Sequence, residues 1–207
     1  MLQSSAVEGV ATNDHLERCG DPEIRQALRT YLGAKHAREA GTVMLEELGL
    51  CRGQVRIDLA VVNGLLHGFE IKSDRDSLRR LRLQAEVYSR VFERMTLVVA
   101  ARHLTGAMEL VPPWWGVLRI EQRLTGPRFC TVRRGRRNPA RDPRTLVELL
   151  WRDEALELLD SRGAARGARA KPRSLVWDRL CEVLDLNEIA ATVCVSLKAR
   201  AAAQAPV

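Results

Sequence analysis

Val55-Arg56-Ile57-Asp58-Leu59-Ala60-Val61-Val62-Asn63-Gly64-Leu65-Leu66-His67-Gly68-Phe69-Glu70-Ile71-Lys72 is the stretch whose reading decides the fold. Two β-rich runs, 55–62 and 65–72, flank Asn63-Gly64, a strong hairpin signal. Side chains alternate along a strand, so parity sorts them into faces. Odd positions are Val55, Ile57, Leu59 and Val61, then Leu65, His67, Phe69 and Ile71, nearly all apolar. Even positions carry every charge of the hairpin: Arg56, Asp58, Glu70 and Lys72. The pattern predicts one core face and one charged face. A two-residue loop would put Val62 opposite Leu65 and mix the two sets. A three-residue loop of Val62, Asn63 and Gly64, with Gly64 left-handed, pairs Val61 with Leu65 and keeps them apart. Asp58, Glu70 and Lys72 then share one face near the open end of the hairpin.

Working outward, Asp21-Pro22 reads as an N-cap followed by proline at the first helical position. Ile24, Leu28, Tyr31 and Leu32 recur at helical spacing, and Gly33 is expected to end that helix. Residues 42–48 read as a strand. After Lys72, the run Ser73-Asp74-Arg75-Asp76-Ser77 is rich in capping residues. Leu78, Leu81, Ala85, Tyr88 and Phe92 then mark one long helix with an arginine-rich outer side. Residues 96–101 form a continuous apolar run, the signature of a buried strand. The predicted fold class is therefore α/β, a mixed central sheet in the order αβββαβ. Past Pro112-Pro113-Trp114-Trp115, two further strands are expected at 116–122 and 128–133. Asp142-Pro143 repeats the cap signature and opens a helix predicted to run to about Leu159. A Gly/Ala/Arg linker over 163–173 separates it from two last helices, 174–184 and 187–200. The predicted division is a flexible segment 1–20, an α/β core 21–135 and a helical C-terminal extension 142–207.

The 207 residues suffice to bury a core without staples. Composition, 46% hydrophobic and 29% charged, excludes a largely disordered chain. No apolar run approaches the ~20 residues of a membrane span. Met1 to Asp14 lacks the pattern of a signal peptide. Five cysteines, odd in number and never in a CxxC pair, argue against a disulfide framework or structural zinc. The protein is expected to be cytoplasmic. The net charge of +7 is almost all arginine, because lysine occurs only at positions 35, 72, 171 and 198. It points weakly to a polyanionic partner, and arginine bias in the chain explains it equally well. Arginine crowds 75–82, 133–144 and 162–173.

Asp58 with Glu70-Ile71-Lys72 brings two carboxylates and an ammonium onto adjoining strands. Two carboxylates with open solvent positions suit Mg²⁺, or Mn²⁺, which prefers oxygen ligands and keeps several waters. Such an ion can polarise a phosphodiester and activate a water. A lysine two residues beyond the second carboxylate points the same way along the strand. Its choice in an arginine-dominated chain is not compositional.

At these residues the chain resembles the PD-(D/E)XK phosphodiesterase superfamily, the restriction-endonuclease-like nucleases. The aspartate of that motif falls on Asp58 and its (D/E)XK part on Glu70-Ile71-Lys72, within the αβββαβ order that the family shares. The wider run from Arg56 to Asp74 resembles a largely uncharacterised bacterial branch. That branch has an acidic residue before a leucine ahead of the hairpin, matched by Glu47-Leu48. It has a glutamine and a tyrosine in the following helix, matched by Gln84 and Tyr88, and the likeness extends through Trp114-Trp115 and Trp151. The family's literal proline before the aspartate is replaced here by Ile57.

The resemblance implies metal ligation by Asp58 and Glu70, a catalytic role for Lys72, and Glu47 as a further metal or metal-water partner. Edge decoration is an equal reading of Glu47, with Glu46 its competitor if the register slips and Glu23 a weaker acidic neighbour. Gln84 either orients the site or touches a phosphate, or is simply a satisfied boundary residue. Arg75, Arg79 and Arg82 are the expected phosphate contacts beside it. Tyr88 and His67 are expected in the core, Trp114 and Trp115 packed under the proline turn, and the last helices as a lid. The expected function is a metal-dependent nucleic-acid endonuclease, with DNA the more expected substrate. The alternatives are a nucleic-acid-binding module without turnover and a structural partner of another protein or of itself.

Overall fold

The computed structural model describes residues 21–204, so the segment expected to be flexible, 1–20, lies outside the described residues. The chain runs α1 (Asp21–His36), β1 (Val43–Leu50), β2 (Val55–Val62), β3 (Leu66–Lys72), α2 (Leu81–Val91), β4 (Arg94–Ala100), α3 (Leu104–Leu110), β5 (Gly116–Glu121) and β6 (Arg128–Arg133). It continues through α4 (Pro143–Val147), α5 (Arg152–Ser161), α6 (Arg173–Val183) and α7 (Leu186–Gln204). The six strands form one mixed sheet in sequence order, β1 to β6. β3, β4 and β5 are mutually parallel, and the other neighbours are antiparallel. Helices supply the two parallel connections, as parallel pairing requires. The expected αβββαβ order is present.

The predicted hairpin loop has the right length but sits one residue further on. Val62 pairs Leu66, leaving Asn63, Gly64 and Leu65 as the loop, with Gly64 at φ +112°. Parity survives, because Val61 pairs His67 and Leu59 pairs Phe69. The expectation of one polar face does not survive. On one side of the sheet Leu59, Val61, Phe69, Ile71 and Val98 pack against Ile24, Leu28 and Leu32 of α1. On the other, Ile57, Ala60, Val62, Leu66, Leu97 and Val99 share a second cluster with α2 and α4 to α7. The even positions of the hairpin are small or apolar except at its open end, and such a strand is buried on both faces.

Other boundaries move for local reasons. α1 continues through Gly33 to His36, because Leu32 is fully buried and packing outweighs the ~1 kcal/mol that an interior glycine costs. The long helix expected from Leu78 starts with a short 3-10 turn capped by Ser77, whose Oγ accepts the Arg79 N–H at 3.3 Å. The helix expected from Asp142 to Leu159 is two helices. Asp142 does cap α4, accepting the N–H groups of Arg144 and Thr145 at 3.1 and 3.2 Å. The chain then breaks, and Glu154 accepts the Trp151 N–H at 2.7 Å to start α5. α3 has no counterpart in the sequence reading: its stripe of Leu104, Ala107 and Met108 spans only seven residues and is interrupted by Gly106, too short a run for the periodicity to stand out.

The residue Glu47 marks an irregularity that shapes the site. It adopts φ +52°, the left-handed region, in the middle of β1. Register on either side is unbroken, with Glu46 opposite Leu59 and Leu48 opposite Ile57. Yet Ile57 lies in the cluster beneath α2 whereas Leu59, two residues on, faces α1. Both strands therefore break their alternation together, at Glu47 and at Asp58. A left-handed non-glycine residue costs of order 1–3 kcal/mol and is found where surrounding structure imposes it.

Candidate active site

The irregularity turns Asp58 toward the end of β3, and both line one cleft of about 430 Å³. Arg25, Glu47, Glu70, Lys72, Arg80 and Gln84 are among its other walls. Glu70 is 1% exposed, and its two oxygens have different partners. Oε1 accepts from the Lys72 ammonium at 2.6 Å, and Oε2 accepts from the Tyr88 hydroxyl at 2.9 Å. Asp58 is held by the next residue of β3: its Oδ2 accepts the Ile71 N–H at 2.7 Å, while Oδ1 faces the Arg25 guanidinium at 3.6 Å.

Burial pushes the Glu70 carboxyl up to about 7, and the nearby Asp58 charge adds to it against the pull of Lys72 and Tyr88. Burial also raises Asp58, opposed by the Ile71 N–H and the charges of Lys72 and Arg25. Two carboxylates are thus crowded together in a partly dry cleft, with their own cations compensating them only in part. Their oxygens are hard donors at the wall of that cleft, the donor type that Mg²⁺ or Mn²⁺ takes, although both Glu70 oxygens are already engaged by Lys72 and Tyr88. Among the described residues, no three His, Cys, Asp or Glu side chains form a cluster able to hold an ion. The two carboxylates of Asp58 and Glu70 are the available acidic set.

Around them runs a hydrogen-bond chain. Gln84 Nε2 donates to the Tyr88 hydroxyl at 3.3 Å. That hydroxyl lies 2.8 Å from the Arg56 carbonyl and 2.9 Å from Glu70, and its single proton serves one of them at a time. Burial, then the Glu70 charge, raises the Tyr88 phenol and keeps it protonated. Gln84 Oε1 is buried without a hydrogen-bond partner. A buried amide oxygen left so is a natural acceptor for a water or ligand group in the cleft.

The expected site residues divide as follows. Asp58, Glu70, Lys72, Glu47 and Gln84 all line the cleft. Glu47 is ion-paired to Arg25 at 2.6 Å and to Arg56 at 3.5 Å. Glu46 pairs with Arg29 and is not in the cleft wall. Arg75, Arg79 and Arg82 are exposed and outside the wall, which takes Arg25, Arg56 and Arg80 instead. Arg25 escaped the sequence reading because nothing in the sequence says which turn of α1 overhangs the β1–β2 kink. Tyr88 is core, as expected, being fully buried and stacked 6.3 Å from Trp115, but its hydroxyl also holds Glu70. His67 packs on Phe69 at 4.2 Å, away from this cleft. Trp115 is buried and Trp114 packs edge-on against it, 6.0 Å between centroids. No helix among the described residues is long and apolar enough to cross a membrane.

Comparison with known proteins adds the following. Protein cII of Enterobacteria phage P4 is 29% identical to the chain over 180 residues, spanning 87% of this chain and 67% of that protein. The solved structure of Pyrococcus furiosus SfsA in complex with Ca²⁺ aligns with a TM-score of 0.34 at 16% identity, over 55% of this chain and 63% of that one, so less than two thirds of SfsA is matched. The family model described as Bacteriophage P4 protein cII matches residues 15–205, nearly the whole chain, and the protein belongs to that family.

Proposed function

We propose that the protein is a metal-dependent phosphodiesterase of PD-(D/E)XK type acting on nucleic acid, DNA in preference to RNA. The observation that carries this reading is the pairing of Asp58 with Glu70 in one cleft, at the C-terminal end of β3, with Lys72 beside Glu70. The αβββαβ order around them agrees with the resemblance in the sequence. Asp58 and Glu70 would hold Mg²⁺ or Mn²⁺, which in such a site polarises the scissile phosphate and lowers the pKa of an attacking water. Lys72 places a compact positive charge beside the reacting phosphate, and Tyr88 fixes the Glu70 carboxylate from the opposite side. Gln84 offers its unpartnered oxygen to the water or a substrate hydroxyl. Arg25, Arg56 and Arg80 line the approach of a polyanion, and the exposed Arg75, Arg79 and Arg82 extend that basic surface along the same connection.

One observation favours a second reading, a nucleic-acid-binding protein without turnover. Each carboxylate already has a cation of its own, Lys72 on Glu70 and Arg25 facing Asp58. A single experiment separates the two. DNA and RNA substrates are incubated with Mg²⁺, Mn²⁺ or EDTA, beside Asp58→Ala. Cleavage that needs the metal and disappears in Asp58→Ala supports the enzyme. Salt-sensitive binding with no cleavage under any metal supports the binding protein, and cleavage undiminished in Asp58→Ala removes the assigned site.

A further inference from the structure

A second cavity, of about 270 Å³, lies on the α1 side of the sheet at the opposite end of the parallel strands. Its floor is the start of β3, β4 and β5: His67 pairs Arg94, Phe69 pairs Thr96, and Thr96 pairs Gly116. Lys35, from the last turn of α1, and Arg134, just past β6, complete the rim. No carboxylate lines it. Among the described residues, Lys35, Arg94 and Arg134 have no ion-pair partner. Arg133, also in the wall, is spent on structure, donating to the carbonyls of Trp115 at 2.7 Å and Pro112 at 3.1 Å.

Three unpaired cations around one concave space repel one another unless an anion joins them. The polar lining suits such a guest. His67 Nε2 bonds Thr96 Oγ1 at 2.9 Å, which ties both to the floor. The imidazole is held neutral, its pKa pushed down to about 3 by burial and then by Lys35, Arg94 and His36. Two glycines keep the end of the cavity narrow: a Cβ on Gly116 would lie 2.9 Å from Thr96 Oγ1 and 3.1 Å from the Gly135 nitrogen. Ligand pockets commonly run from ~300 to 1,000 Å³, so this one admits a compact guest.

We propose that the cavity binds the terminal phosphoryl group of a small phosphate monoester, held between Lys35, Arg94 and Arg134. Three cations match the two negative charges and three terminal oxygens of a monoester, where a backbone diester presents one charge and two free oxygens. The site is separate from the Asp58–Glu70 cleft, which opens at the other end of β3.

The test is a titration of the full chain with inorganic phosphate, uridine 5′-monophosphate and an unphosphorylated dinucleotide, followed through the His67 ring nitrogens by NMR. The expected result is saturation by phosphate and the monoester below ~10 mM, read as a shift of the His67 ring resonances at neutral pH. Lys35→Gln combined with Arg94→Gln, both away from the packed core, should weaken binding about tenfold or more, since two charge-assisted contacts are lost. Asp58→Ala should leave it unchanged, whether or not the cleft is catalytic. The proposal is overturned if neither phosphate nor monoester saturates, if the double variant binds as the parent does, or if the dinucleotide binds as tightly as the monoester.

Discussion

Replacing Glu70 by Gln should change how stability depends on pH more than it changes stability itself. The carboxyl titrates near 4.5 when exposed and near 7 in the fold, because burial and Asp58 oppose its charge. A raised folded pKa means that the folded state holds the proton more tightly than the unfolded one. The group's favourable contribution is therefore complete below about pH 4.5 and is lost as pH rises through about 7. Each pH unit of that window is worth ~1.4 kcal/mol, so the parent should lose about 3 kcal/mol across it from this group. Glu70→Gln resembles the protonated form at every pH, with Lys72 facing a neutral amide throughout. Urea unfolding at pH 4.5 and at about pH 8 should show the variant gaining about 3 kcal/mol relative to the parent between the two conditions. Mg²⁺ or Mn²⁺ should recover part of that loss in the parent at the higher pH and none of it in the variant, since only the ionised carboxylate offers the cation its charge. Parallel pH profiles for parent and variant would refute the reasoning, for Glu70 would then ionise in the fold as easily as in water.

Three further outcomes follow from the same structure. Lys72→Arg and Lys72→Met should retain nucleic-acid binding within a few-fold yet lose ~10²–10³ in turnover, the ~3–4 kcal/mol that one positioned charge supplies in comparable sites; unchanged single-turnover cleavage by Lys72→Arg would make the residue a neutraliser only. Gly68→Ala should destabilise by ~1–3 kcal/mol in chemical denaturation, because a Cβ there would sit 2.5 Å from Met95 Sδ and 3.1 Å from the Phe92 ring. Asp142→Ala removes the acceptor for two N–H groups at the start of α4 and should cost ~1 kcal/mol by the same assay, with Asp142→Asn recovering most of it.

What could be read in advance was whatever local pattern encodes. The hairpin, its three-residue loop and the α1–β4 order follow from period-2 and period-3.6 spacing, and Asp142 announced α4 by its cap. Burial of the second face was written in the same residues, as Ala60, Val62, Leu66 and Gly68, but the charges at Asp58, Glu70 and Lys72 masked it. Those charges sit at one end of the strands, where the cleft opens, and say nothing about the middle. The break between α4 and α5 hid inside an unbroken apolar run, Leu149-Leu150-Trp151, that a single helix would also produce. Arg25 was illegible because its place in the cleft depends on how a helix lies over the sheet, and the crowding of arginine over 75–82 did not say that Arg80 is the one to enter the wall.

The kink at Glu47 and Asp58 links these failures to the one success. A strand that kept strict alternation from Val55 to Val62 would put Asp58 on the same face as Arg56 and Ala60 and leave Ile57 facing α1. In the fold Ile57 is buried beneath α2 instead, and Asp58 bonds across to the Ile71 N–H, beside Glu70. Simple parity therefore reached the correct grouping of Asp58 with Glu70 and Lys72 without seeing the device that produces it. That device has a cost, the left-handed backbone of Glu47, and the Arg25 bridge at 2.6 Å is positioned to hold it. Glu47 thereby has a role that needs no direct contact with a metal ion. It pins α1 to the kink that aims Asp58, so its charge and its backbone serve the same geometry.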